Sequence, residues 1–165
     1  MVELAPDAAI DANPAWRVHL ESVKDRVEIA GHDDLIWADA YAFGTPTRYG
    51  NVASQLKQVI DSTGPLWADG HLMTGRSRRF TSAGNVHGGN GSTILALCNT
   101  MYHWGSIIVP PGYTDPSVSA ALGNPYGTAH PSRAGAPGEE ILAAARHQGR
   151  RLATATAALL DGRRD

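Results

Sequence analysis

A disulfide needs two cysteines, and this chain of 165 residues has one, Cys98. An internal disulfide framework is therefore excluded, and the cytoplasm is the expected compartment. No apolar run approaches the roughly 20 residues that span a bilayer, and the opening MVELAPDAAIDANP lacks the basic-then-apolar layout of a secretion signal. No membrane partner is expected. Charge of one sign is equally scarce: the formal net charge is -2, which leaves no polybasic surface to suit nucleic acid or anionic lipid. Three chemical signatures are missing as well. There is no H-E-x-x-H and no second ligand near Cys98, so no metal is expected, and no G-x-S-x-G, so Ser82 sits in no nucleophile elbow. A single domain over 1–165 that binds small, nearly neutral ligands is the class that remains.

What is present alternates. Val2 to Ala5 is an apolar patch, the stub of a strand at most. Asn13-Pro14 opens a helix, since the Asn side chain accepts from free N–H groups and proline at the first helical position loses no bond. Trp16, Leu20, Val23 and Val27 continue it at helical spacing until Gly31. HDDLIWAD reads as a helical turn and AYAFG as a strand. After the loop TPTRYGN, the apolar positions Val52, Leu56, Val59 and Ile60 predict a helix from Asn51 to the stop Thr63-Gly64-Pro65. The order repeats: RRFTS is a strand, AGNVHGGNG a glycine-rich loop, and STILALCNTMYHW a helix apolar around its circumference and so buried. SIIVP at 106–110 is a third strand, 111–138 a long irregular loop, and Glu139 to Leu160 a closing helix. Strands alternating with helices predict an α/β fold, an open parallel sheet with helices on both faces, whose ligands bind beyond the strand carboxyl ends.

Each strand delivers a distinctive loop to that edge. In TPTRYGN, Gly50 admits a close backbone approach, and the helix beginning near Asn51 points free N–H groups at a ligand. Tyr49 has the ring to stack on a planar group, and Arg48 the guanidinium to meet ring carbonyls or an anion. A rigid turn carrying a solvated arginine is the alternative. In SAGNVHGGNGST four glycines let the backbone wrap a ligand edge, with Asn85 and His87 as polar tips; the string matches neither phosphate-loop fingerprint. His103 closes an apolar helix beside Trp104, where a structural hydrogen bond is the plainer reading.

GTPTRYGN, DSTGPLWADG, FTSAGNVHGG, NTMYHWGSIIVPPGY, NPYGT and ARHQGRRLA, in that order, resemble the WrbA-type flavoproteins, FMN-dependent NAD(P)H:quinone oxidoreductases of flavodoxin-like fold. The likeness covers 33–113 and 138–160. It implies that Thr47, Arg48, Tyr49, Gly50 and Asn51 border a flavin ring, and that Ser82, Ala83, Gly84, Asn85, Val86 and His87 wrap its other side. His103 would face the flavin, and Trp67 would close the pocket in which a nicotinamide or a quinone stacks. It further implies FMN as cofactor, NAD(P)H as donor, hydride transfer to the flavin and then two electrons to a quinone. Pockets shared between subunits of a homo-tetramer, a dimer of dimers, also follow. The family's opening unit, a buried strand and a Ser/Thr/Gly-rich loop around the FMN phosphate, has no counterpart in this sequence, whether as a fragment, a late start or a short form. A sheet without its first βα unit is the expectation. The rival class is a flavodoxin-fold module that binds FMN weakly or not at all and serves oligomer assembly; other acceptors, such as azo dyes or chromate, would suit the same slot. Trp104, where many relatives carry a second histidine, is expected to make the pocket rim more apolar.

Overall fold

The computed structural model describes residues 7–72 and 76–162, with the backbone alone at 76–78. The expected strand stub at Val2 to Ala5 lies outside the described residues. Among the described residues four strands form one parallel sheet: β1 (Ala40–Pro46), β2 (Arg76–Ala83), β3 (Ile107–Ile108) and β4 (Ala129–Pro131). β2 pairs with β1 along its length, Ala40 opposite Arg76 through Pro46 opposite Ser82. Its other side is shared: β3 takes Arg76 and Ser77, and β4 takes Thr81 to Ala83.

This split corrects the expected third strand at 106–110, which is only two residues long. Val109 to Thr128 leaves the sheet, carries α7 (Pro116–Ala120), and returns as β4, so part of the loop expected at 111–138 is regular structure. The cause is long-range pairing, since nothing in A-H-P reads as a strand until β2 lies beside it.

Helices cover both faces. On one, α4 (Ser54–Ser62), α5 (Gly64–Ala68) and α6 (Asn90–His103) pack on Tyr41 through a core of Ile60, Leu66, Leu72, Leu97, Met101 and Trp104. Each fully buried Leu or Met there contributes roughly 1.5–3 kcal/mol. Only one side of α6 is buried; Leu95 and Tyr102 face outward, which corrects the expectation of a helix buried all round. On the other face lies α8 (Glu139–Asp161), held to the sheet by one carboxamide. Gln148 Oε1 accepts from Thr128 N at 2.7 Å and Thr128 Oγ1 at 2.6 Å, and Nε2 donates to Arg79 O at 2.8 Å.

Before the sheet come α1 (Asp7–Asp11), α2 (Pro14–Val23) and α3 (His32–Trp37). Asn13 caps α2 and Pro14 opens it, as its chemistry demands. The helix nevertheless stops at Val23 rather than at Gly31, because none of its residues is buried and Val27 stays exposed. Likewise α4 begins at Ser54, three residues after Asn51, because Asn51 is engaged in a turn.

Candidate functional site

The loops after β1 and β2 meet at the carboxyl edge. Arg48 N donates to Asn51 O and Asn51 N to Arg48 O, both at 2.9 Å, and the two residues between them have positive φ: Tyr49 at 51° and Gly50 at 78°. That is a type I′ turn, a conformation that glycine adopts freely and tyrosine only at a cost. Its consequence is a tyrosine ring fully exposed at the rim. Arg48 curls back so that Nη1 donates to Thr47 O at 3.0 Å.

The glycine-rich loop locks onto this turn. Thr47 N donates to Ser82 O at 2.7 Å, and Thr47 Oγ1 donates to Gly89 O at 3.2 Å and is hydrogen-bonded to the buried Thr93 hydroxyl. Gly89, at φ 94°, approaches so closely that a Cβ on it would lie 2.9 Å from Gly50 Cα. Ser82 and Ala83 end β2, and Gly84, Asn85, Val86 and His87 stand exposed beyond it. The eleven expected ring residues thus line one rim. Two helices start there, α4 after Ala53 and α6 after Gly89, and neither has a side-chain cap, so their first N–H groups are open to an acceptor.

Trp67 and His103 do not join them. Both helices run back antiparallel to the strands, so α5 and the end of α6 lie at the amino edge of the sheet. The fourteen residues of α6 put about 20 Å between the rim and His103. Trp67 Nε1 donates to His103 O at 2.8 Å. With Thr63, Gly64 and Trp104 they line an open cleft of about 260 Å³. Trp104 is 5% exposed and meets the Phe43 ring edge-on at 6.0 Å, so it is a core residue flooring this cleft rather than part of a rim. One chain therefore carries the expected ring residues and the expected pocket residues at opposite ends of a helix.

The sequence reading missed a third contribution. Pairing of β4 with β2 aligns His130 with Ser82 and Pro46 in one row, and Ser132 Oγ donates to Ala83 O at 3.2 Å. Arg133 then lies along Gly84, its Nε 3.4 Å from where a Cβ would stand. No local signal marks these residues, since only strand pairing brings them to the rim. Among the described residues no group of three His, Cys, Asp or Glu could hold a metal ion, and no helix is long and apolar enough to cross a membrane.

A parallel sheet between helices, with a glycine-hinged rim of uncapped helix starts at its carboxyl edge, defines a flavodoxin-like architecture. A solved flavodoxin-like structure, a WrbA-like protein from Agrobacterium tumefaciens, matches 78% of the chain and 74% of its own at a TM-score of 0.64 and 24% identity. Residues 13–117 match the model of the NADPH-dependent FMN reductase family. Relatives called NAD(P)H dehydrogenase (quinone) are 42% identical in Deinococcus radiodurans and 36% identical in Aromatoleum aromaticum. The alignments cover 96% and 98% of this chain and 78% and 80% of those proteins. The chain belongs to the NADPH-dependent FMN reductase family.

Proposed function

We propose that this chain is an FMN-dependent NAD(P)H:quinone oxidoreductase whose working unit contains more than one copy, a homo-tetramer in the family's manner. The observation that carries the reading is the 14-residue α6, with the ring-binding rim at its start and the Trp67–His103 cleft at its end. In this reading the cleft of one copy covers the rim of another.

The residues suit FMN. An exposed tyrosine on a strained turn, a close glycine pair and two open helix starts offer a flat, donor-rich edge to a ring with carbonyls and nitrogens. Tyr49 and Val86 supply the stacking walls, Arg48 and the N–H groups of the 82–89 loop the polar contacts. Bound there, FMN supplies the two-electron chemistry that links NAD(P)H to a quinone. The protein's part is placement: the Trp67 indole, oriented by its bond to His103 O, closes a slot in which nicotinamide and quinone lie flat in turn, and it excludes water. His103, exposed beside it, is placed to hand a proton to the reduced quinone oxygen. The cytoplasm suits such a protein, since its one thiol, Cys98, is buried and unpaired.

The test is subunit complementation. Arg48→Ala and Trp67→Ala should each lower NAD(P)H:quinone activity at least tenfold, and mixing the two with subunit exchange should restore part of it. A mixture no more active than its parts, or an active monomer by light scattering, would overturn the reading.

A further inference from the structure

Beyond the ring loops the carboxyl rim opens into a cavity of about 490 Å³, lined among others by Gly44, Pro46, Phe80, Ser82, His130 and Pro137. Phe80 floors it: a Cβ on Gly44 would lie 2.2 Å from the ring, so the ring rests across the glycine. Pro46, Ser82 and His130 stand abreast on three adjacent strands, a row about 10 Å wide at roughly 4.8 Å per strand. His130 Nε2 donates to Gly135 O at 2.7 Å, while its Nδ1 is buried with no hydrogen-bond partner. A buried nitrogen without a partner is costly, and a ligand at this place would relieve it.

The charge pattern tells what kind of ligand. Residues 44–53, 80–93 and 125–138 contain no Asp or Glu, yet carry Arg48, His87, His130 and Arg133, in a chain of net charge -2. The lining of this cavity contains no carboxylate; Glu140 lines a neighbouring cavity that shares His130. The fixed charges within those segments, Arg48 and Arg133, are thus both positive, and they stand near an orphaned imidazole nitrogen and a serine hydroxyl.

We infer that Ser82, His130 and Arg133 form a phosphate-monoester site at the end of the rim. The inference rests on the flavin reading, and the three residues come from β2, β4 and the turn after β4. A small turn of the His130 ring, whose χ2 well is broad, brings Nδ1 to a phosphate oxygen, where it accepts the acid proton of the monoester while Nε2–H stays on Gly135 O. Ser82 Oγ donates to a second oxygen, and the Arg133 fork reaches a third from the Gly84 side. Two ligands of the reaction carry such a group: FMN at its ribityl end and NADPH at its 2′ position.

Equilibrium dialysis of the full chain against FMN and riboflavin in parallel, with NADPH and NADH by tryptophan quenching, separates the two sources. FMN should bind at least tenfold more tightly than riboflavin. Arg133→Ala, on the surface, and His130→Leu should erase that advantage while riboflavin affinity stays within twofold. If the preference appears instead for NADPH over NADH and the same variants erase it, the site serves the dinucleotide. Variants that leave both preferences unchanged overturn the inference, as does equal weakening of riboflavin and FMN. Equal binding of the two flavins to the unaltered chain overturns this site and leaves the flavin reading standing; failure of both flavins to bind overturns the two together.

Discussion

The indole Nε1 of Trp67 donates to the backbone carbonyl of His103 at 2.8 Å, joining α5 to the last turn of α6. The bond fixes an aromatic plate that is otherwise 53% exposed. Trp67→Phe keeps the plate and removes the donor. Since the freed carbonyl can turn to water, the expected stability loss is under about 1 kcal/mol. The expected functional effect is a KM for quinone raised several-fold with bound FMN unchanged, read from steady-state kinetics and the flavin absorbance of the same sample.

Tyr49 occupies a conformation that suits glycine. A left-handed residue costs about 1–2 kcal/mol relative to the ordinary helical region. Tyr49→Gly should therefore stabilise the flavin-free protein by up to about 1 kcal/mol once the more flexible unfolded chain is counted, seen as a higher urea midpoint. The same change should weaken FMN at least fivefold. A variant both more stable and undiminished in FMN affinity would remove Tyr49 from the site.

Gly89 is constrained twice, by φ 94° and by the nearness of Gly50 Cα. Gly89→Ala should cost about 2–4 kcal/mol, the sum of left-handed strain and a forced shift of one loop. Chemical denaturation measures the loss. Gly64→Ala, which meets nothing within 4 Å, is the matched control and should be nearly neutral.

Gln148 is 5% exposed and its amide serves three partners. Gln148→Leu keeps the volume but strands Thr128 N and Arg79 O, at roughly 1–3 kcal/mol for each buried group left unpaired. The expected loss is about 2–5 kcal/mol, together with faster amide exchange at Thr128. Gln148→Glu keeps the acceptor but sets a carboxylate oxygen against Arg79 O at a buried position, so its loss should be at least as large at neutral pH and should shrink in acid, where a protonated carboxyl can donate again.

Burial pushes the Cys98 thiol up, and the nearby Arg79 guanidinium only partly offsets this. At pH 8 the native protein should react with a thiol reagent at least a hundredfold more slowly than the urea-unfolded chain, where the ordinary value near 8.5 applies. The rate should rise with pH, since only the thiolate reacts. Rapid labelling of the folded protein would show that α6 opens.

Much of this molecule could be read along the chain. Asn13-Pro14 started a helix, Thr63-Gly64-Pro65 ended one, and Glu139 onward formed the long helix its periodicity demands, because caps, stops and apolar spacing act within a few residues. The same local rules placed TPTRYGN and AGNVHGG after strands and before helices, and so at one edge of a parallel sheet. The end of α2 was not legible, since whether Val27 continues a helix depends on a packing partner that no window contains. Nor was β4: A-H-P becomes a strand only because the upper half of β2 lies open beside it, and that pairing alone brings His130 and Arg133 to the rim. The family resemblance likewise put Trp67 and His103 among the expected site residues without saying where in the fold they lie. Tertiary structure decided that they stand about 20 Å from the rim, because a helix that returns along a parallel sheet must carry its two ends to opposite edges.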